Sequence, residues 1–395
     1  MRWLSPQPSE SVLVSYQWID QPNQLQSLVE QIQSCTRLAV DTEFVRTNTY
    51  YSRPGLIQIA DLQQVFLVDP TVFSTQQLQP LGDILFAPDM QLLMHSAGED
   101  LDVFLGLWKR LPSNLFDTQI AASLVGFDRQ MGLQRLLMDI IGVELSKEET
   151  RSDWLQRPLT ARQLHYAEAD VKYLHQVADI LQQKLQQTGR ESWFAEECQQ
   201  LVAKYQHKTP DEWLYLGFGS GWKLKPALQG ALRHLASWRE QTARQHNIPK
   251  TFIAKDANLY ALVEKQPSSK AVLSELGFQG SQIRRYGDQL LQQLHIGLQA
   301  GEPPLPIPRP LSKSQQKDYK ALRDVVASCA ETLGLPADLL ASKAQLVNYL
   351  KARMAGTLTT DSPFAGGWRE TALQPSLDAF VLPSNNNNKD ELDHD

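Results

Sequence analysis

Cysteine is scarce in this chain. Cys35, Cys198 and Cys329 are far apart and odd in number, so neither a disulfide framework nor a cysteine zinc site is expected, and a reducing cytoplasm is the expected compartment. No run approaches the ~18 apolar residues of a membrane helix. Met1-Arg2-Trp3-Leu4-Ser5-Pro6 holds no apolar core of signal-peptide length. An intracellular protein without a membrane partner is therefore expected. A phosphate-binding loop is lacking as well. Gly217-Phe218-Gly219-Ser220-Gly221-Trp222-Lys223 fits neither G-x-x-x-x-G-K-[ST] nor G-x-G-x-x-G, which removes a nucleotide-driven motor from consideration.

What the chain does have is an uneven charge. The net −6 over 395 residues divides into −8 for residues 1–210, +5 for 211–383 and −3 for the tail 384–395. Within 221–285, eleven Lys and Arg face four Asp and Glu. An acidic half followed by a basic module suits a metal-dependent enzyme carrying a polyanion-binding domain.

The hydrophobic pattern changes in the same place. After a polar lead-in, an amphipathic helix over Asn23–Ser34 precedes a strand at Leu38–Phe44. Leu56–Ala60 and Val65–Val68 read as a hairpin, so three antiparallel strands are expected. Gln91–Met94 and Leu115-Phe116 follow as strands, each feeding a helix. That order gives an α/β layer with a mixed sheet flanked by helices. Thr160-Ala161-Arg162-Gln163 is a capping-box start to one long helix through Leu181, and around Thr188–Pro210 the pattern turns polar and ends in a linker that breaks at Thr209-Pro210. From Pro226 the pattern is helical only. Three bodies are expected: 1–208, able to fold alone; 222–302; and 311–383. A disordered tail, 384–395, would follow them.

The chemistry starts in the strand Leu38-Ala39-Val40-Asp41-Thr42-Glu43-Phe44. Alternate residues of a strand share a face, so Asp41 and Glu43 point the same way. A lone Asp-x-Glu is usually a solvated strand edge. Here two more acids fall where they could converge on the pair. Asp100 sits in the first turn of a helix directly after a strand, and Asp170 lies one helical turn beyond Tyr166. Four carboxylates from one strand and two helices suit Mg²⁺ or Mn²⁺, and two such ions can clamp an in-line phosphoryl displacement. Tyr166 would orient the attacking water. The Trp residues of the helical half are core candidates first. His95, at a strand end, reads as a satisfied structural histidine.

These segments resemble the ribonuclease D family, 3′→5′ exoribonucleases of the DEDD superfamily with a ribonuclease H-like fold. Three motifs carry the resemblance: Asp41-Thr42-Glu43-Phe44-Val45-Arg46 with Thr49-Tyr50-Tyr51 and Gly55-Leu56-Ile57-Gln58; His95-Ser96-Ala97-Gly98-Glu99-Asp100-Leu101; and Tyr166-Ala167-Glu168-Ala169-Asp170-Val171. Asp117-Thr118-Gln119 resembles a recurring family segment. Leu235–Glu240 with Asn247-Ile248-Pro249 and Lys255-Asp256 resembles the helicase-and-RNase-D C-terminal (HRDC) domain, and the region around Lys317–Leu382 resembles the family's more divergent second one. The resemblance implies metal ligation by Asp41, Glu43, Asp100 and Asp170, with Tyr166 completing the catalytic set. It also implies a monomer acting on RNA, notably precursor-tRNA 3′ ends and single-stranded 3′ tails, that releases 5′-mononucleotides. The superfamily divides by whether a Tyr or a His positions the water, and both spacings occur here because His165 precedes Tyr166. Tyr166 shares a helix face with Asp170, whereas His165 is rotated roughly 140° from it at ~100° per residue. Two other readings stand beside the main one: a DNA 3′→5′ exonuclease, and a non-catalytic RNA-binding protein.

Overall fold

The computed structural model describes residues 16–145, 152–358 and 362–383; the tail 384–395, expected to be disordered, lies outside them. The chain forms two compact units. One takes in the chain up to Phe44, Pro54–Gln206 and everything from Leu311, and the other takes in Val45–Arg53 and His207–Pro310.

The first unit is built on a six-stranded sheet in the order β1-β4-β3-β2-β5-β6. Its strands are β1 (Gln17–Ile19), β2 (Arg37–Val45), β3 (Arg53–Ala60), β4 (Val65–Val68), β5 (Gln91–Met94) and β6 (Leu115–Asp117). β3 and β4 form the expected antiparallel hairpin, with Ile57 opposite Val68 and Ala60 opposite Val65. β2 and β5 run parallel, Leu38 opposite Leu92, and β5 and β6 likewise, Leu93 opposite Phe116. The sheet is mixed, as expected. Leu92, Leu93 and Met94 are wholly buried, because helices cover both faces of the parallel part. β1 went unread in the sequence: three residues, Gln-Trp-Ile, show too little alternation, and only pairing with β4 makes them a strand.

Helices α1 (Pro22–Ile32), α2 (Thr75–Leu85), α3 (Gly98–Trp108), α4 (Thr118–Leu124) and α5 (Leu133–Ile141) alternate with or follow the strands. α2 escaped the sequence reading because Pro80 lies inside it. The single helix expected through Leu181 is two, α6 (Ala161–Lys172) and α7 (Leu174–Thr188), which meet at Tyr173. The polar stretch before the Thr209-Pro210 break, to which no helix was assigned from the sequence, is largely a third, α8 (Glu191–Gln206). Only Phe194 and Cys198 of its residues are buried, so its sequence lacks a continuous apolar stripe.

The C-terminal helices complete this unit. Trp368 opens α16 (Trp368–Ala379), which follows α13 (Lys313–Leu333), α14 (Ala337–Leu340) and α15 (Lys343–Ala355). Its ring stacks on Trp193 of α8, centroids 4.7 Å apart, and its indole N–H donates to Glu197 at 2.8 Å. Arg369 is ion-paired with the same Glu197 and donates to the Leu339 carbonyl at 2.9 Å. Residues 311–383 therefore share a packed interior with α8 rather than standing apart as a third body. An exonuclease cut at residue 208 would lose the partners of Glu197 and Trp193.

The second unit packs α9 (Pro226–His246), α10 (Lys250–Ile253), α11 (Asp256–Lys265) and α12 (Gly280–Leu298) around Leu232, Leu235, Leu259, Leu262 and Leu290. Residues 211–223, including the Gly217–Lys223 stretch, read as linker-like. Instead they make two 3₁₀ turns, Asp211–Gly217 and Gly221–Lys223, that sink Tyr215 and Phe218 into this core. Gly230 is required there: a Cβ would lie 1.8 Å from the Gly301 carbonyl oxygen. The segment after β2 belongs to this unit too. Both backbone N–H groups of Tyr50 and Tyr51 donate to Asn247 Oδ1 at 3.1 Å, and the Tyr50 hydroxyl donates to Glu240. Burial, then Glu240, push that phenol up to about 12.

The Glu197–Arg369 pair yields a stability prediction. Both side chains are about nine-tenths buried, so Arg369→Ala leaves a buried, uncompensated carboxylate. A loss of roughly 3–5 kcal/mol is expected in urea unfolding of the full chain, and a chain ending at 208 should melt lower still than the full-length protein.

Candidate active site

The carboxylates emerge where the core strand changes character. Leu38, Ala39 and Val40 are fully buried; from there β2 alternates, with Asp41 and Glu43 half-open around a buried Thr42. Asp170 comes from α6, where it is 9% exposed. One oxygen each of Asp41, Glu43 and Asp170 lies within 4.8 Å of the others, so the structure brings together three of the four acids singled out in the sequence.

The fourth, Asp100, is 6% exposed in the first turn of α3, and its Oδ1 is engaged by Thr42. The Thr42 backbone N–H donates to it at 3.1 Å and the hydroxyl at 2.5 Å. The charge of Asp41 acts on Asp100, whose carboxyl is held well above its usual range by burial first and then by that neighbour. Thr42 thus ties the second motif to the first.

The start of α3 is fixed by a residue with no chemistry of its own. Asp117, at the end of β6 and 1% exposed, accepts hydrogen bonds from Ser96 N (3.1 Å) and Ala97 N (2.9 Å). It also caps α4 through Gln119 N and Ile120 N. Ser96 adopts φ +60°, so the chain leaving β5 turns sharply into α3. The sequence offered a signal for this in Asp117-Thr118-Gln119 but not its role, which depends on a neighbouring strand end.

The cluster is electrostatically unfavourable alone. Burial pushes Asp41 well up, and Asp170 adds to it. Glu43 is pushed up to about 10 by burial and then by Asp41, Asp170 and Asp100. The charges that act on these groups are one another's; Gln58 offers Asp41 only a long amide contact at 3.4 Å. Hard oxygen donors converging this closely fit a divalent cation.

Tyr166 faces the same cluster. It lines a cavity of about 160 Å³ with Asp41, His95, Leu133, Gln134, Leu145 and Asp170. Burial, and then the charges of Asp170, Glu43 and Asp41, hold its phenol far above its ordinary pKa, and it is hydrogen-bonded to Asp170. Its ring lies 6.2 Å from Trp154. Trp154 is seated by Arg157, which donates to the Trp154 and Gly55 carbonyls and is ion-paired with Asp69. Gly55 admits no side chain here, because a Cβ would lie 2.5 Å from the Trp154 carbonyl oxygen. His165 points away from the cluster: its side chain is 72% exposed and lies 4.0 Å from Glu168. His95 is saturated, its nitrogens 2.9 Å from Thr118 Oγ1 and 3.0 Å from the Met131 carbonyl, yet its ring borders the cavity. A larger cavity, about 710 Å³ between α3, β6 and α8, contains none of these acids.

Comparison with known proteins finds two domain families in the chain. Residues 16–186 match the family described as 3′-5′ exonuclease, and residues 229–294 match the HRDC domain. The chain is 34% identical over 368 residues to ribonuclease D of Serratia proteamaculans (strain 568), covering 92% of this chain and 98% of that one. It is 33% identical over 368 residues to ribonuclease D of Escherichia coli (strain K12), covering 92% and 98%. The crystal structure of Escherichia coli RNase D, described as an exoribonuclease involved in structured RNA processing, superposes with a TM-score of 0.82 at 32% identity, covering 93% of this chain and 98% of that one.

Two measurements test the site. A carboxyl whose pKa rises on folding stabilises the fold below its unfolded value, near 4.5 for Glu43, and that contribution is lost as pH climbs toward about 10. In chelator, the melting temperature should therefore fall between pH 5 and 9, and saturating Mg²⁺ should flatten the decline.

Thr42→Val keeps the shape but deletes the hydroxyl that holds Asp100. Calorimetric titration with Mn²⁺ should then show roughly 10- to 100-fold weaker binding, with Thr42→Ser close to the unmodified protein.

Proposed function

The chain belongs to the ribonuclease D family of 3′→5′ exoribonucleases, and from that premise we propose that it trims single-stranded 3′ tails of precursor tRNA and other stable RNAs. The products are 5′-mononucleotides, and the reaction uses two divalent cations, Mg²⁺ or Mn²⁺. The observation that carries this reading is the convergence of Asp41, Glu43 and Asp170 within 4.8 Å, in a cavity that Tyr166 also lines.

Asp41, Glu43 and Asp170 would hold the cations, with the remaining oxygen of Asp100 as a fourth ligand. Divalent ions held there would polarise the scissile phosphodiester and acidify a water. Tyr166 keeps its proton at neutral pH, since its pKa is raised. Its O–H is therefore committed to Asp170, while a phenol lone pair is left to accept a hydrogen bond from the attacking water and so orient it. His95 cannot serve as a base while both ring nitrogens are engaged, and burial lowers its pKa as well. Thr42, Asp117 and Arg157 act by placement, each tying one acid-bearing or Tyr-supporting segment to the sheet.

A monomer in the cytoplasm completes the proposal. Cys35, Cys198 and Cys329 are all free thiols, as a reducing compartment would leave them, and no helix among the described residues is long and apolar enough to cross a membrane.

The test compares two adjacent residues. With Mg²⁺ saturating, 3′-extended tRNA, a single-stranded RNA and a matched DNA are each incubated with the protein and its variants. RNA should be shortened from its 3′ end to mononucleotides, and DNA left longer. Tyr166→Phe should cut turnover by roughly 10²–10⁴, and His165→Ala should change it little. A crippled His165→Ala beside an active Tyr166→Phe would overturn the assignment of the water to Tyr166.

A further inference from the structure

One wall of the cavity beside the acids takes no part in the chemistry. Tyr166 and two of the carboxylates line the cavity together with Leu133, Gln134 and Leu145, and of these last three only Gln134 has a polar side chain. It stands in the first turn of α5, a nine-residue helix fixed to the core by Leu136, Leu137 and Ile140, so its backbone is held. Its Nε2 donates to the Leu145 carbonyl at 2.8 Å. That bond decides which way the amide faces, because a carbonyl only accepts and the NH₂ end must meet it. Among the described residues, no donor is bonded to the other end, Oε1. The residue therefore brings one oriented, uncommitted acceptor to the cavity.

The terminal nucleotide of a substrate belongs in the same place. Release of a 5′-mononucleotide joins a water oxygen to the last phosphorus as the bond to the preceding 3′ oxygen breaks. That 3′ oxygen takes up a proton from the water, and the phosphate leaves on the 5′ carbon of the terminal sugar. With the phosphate held beside Asp41 and Asp170, the terminal sugar is one methylene away from it. The volume suits a sugar ring: the cavity measures about 160 Å³, and ~150 Å³ is enough for a benzene. The other polar groups there are occupied. Asp41 and Asp170 would hold cations, the Tyr166 hydroxyl is hydrogen-bonded to Asp170, and His95 has both ring nitrogens engaged.

We propose that Gln134 determines the choice of sugar: its Oε1 accepts a hydrogen bond from the 2′-hydroxyl of the 3′-terminal ribose, so that RNA ends are cut in preference to DNA ends. The proposal rests on the exoribonuclease reading above and adds to it the residue that tells ribose from deoxyribose. The 2′-hydroxyl is the group by which the two polymers differ at a given position. A fixed acceptor discriminates well, because a deoxyribose leaves it without a donor and an unmet polar group costs more than the bond gains.

The experiment measures kcat/KM of the full-length chain, with Mg²⁺ saturating, on oligoribonucleotides that differ only at the 2′ position of the last nucleotide, which carries OH, H or F. The unmodified chain should favour the hydroxyl over hydrogen roughly 5- to 150-fold. Fluorine has no hydrogen to donate, so the 2′-F end should be cut as slowly as the 2′-H end. Gln134→Met keeps the length and removes the acceptor. It should lose the preference by slowing the 2′-OH substrate alone, and Gln134→Ala should do the same. Moving the 2′-H one nucleotide inward is the control, and its effect should be equal in all three proteins. A preference that survives in both variants overturns the proposal. So does an equal slowing of every substrate, which would make Gln134 a support for the chain around Leu145, or a 2′-F end cut as fast as 2′-OH, which would put a donor rather than Oε1 on that position. An unmodified chain that shortens no RNA sinks the exoribonuclease reading, whereas RNA shortened with the same preference in every protein sinks only the role of Gln134.

Discussion

Several carboxylates that cannot comfortably be ionised together are held at one spot beside an interior strand of a buried sheet, and much of the first unit is arranged to keep them there. Burial raises the pKa values of Asp41, Glu43 and Asp100, and neighbouring carboxylates raise them further, that of Asp170 acting on Asp41 and Glu43. Left to itself, a flexible surface would let such groups separate. Here each is anchored to an element whose position is set by apolar packing: β2 by Leu38, Ala39 and Val40, α3 by Leu101 and Phe104, and α6 by Ala167 and Val171. The free energy of the hydrophobic core is what opposes the repulsion, and relief of that repulsion would favour a divalent cation.

Around that constraint the polar residues divide by task. Thr42 binds one oxygen of Asp100, so the acid is presented in a single orientation. Asp117 commits its carboxylate to four backbone N–H groups at two helix starts, which makes it a structural acid despite lying close to the site. Arg157 holds Trp154 against Gly55, and Trp154 in turn backs Tyr166. A Tyr with a raised pKa keeps its proton at neutral pH, and under the proposed reading it would orient the water and leave the acidification to bound cations.

The same division governs the helical parts. Glu197 satisfies both the Trp368 indole and the Arg369 guanidinium, so α8 and the C-terminal helices form one interior. In the second unit, Glu240 and Asn247 receive the Tyr50 hydroxyl and the Tyr50 and Tyr51 backbone, and most cations near α9 and α11 are paired.

Periodicity and composition were enough for the mixed α/β layer, the β3–β4 hairpin, the helical half and its basic charge, because alternation and 3.6-residue spacing are local properties of the chain. Asp41 and Glu43 were legible as a pair because a strand puts i and i+2 on one face, and Tyr166 with Asp170 because a helix puts i and i+4 together. The sequence could not convey what depends on distant partners. β1 is a strand only because β4 lies beside it, α8 is a helix whose buried face is completed by Trp368 and Arg369, and residues 311–383 join the first unit through Glu197. The grip of Thr42 on Asp100, across 58 positions, has no local signature either: a Thr between two acids looks like any strand residue until the fold brings a third acid to its hydroxyl. Elements and their chemistry come from neighbours in the chain, whereas convergence comes from neighbours in space, and only packing of the core selects those.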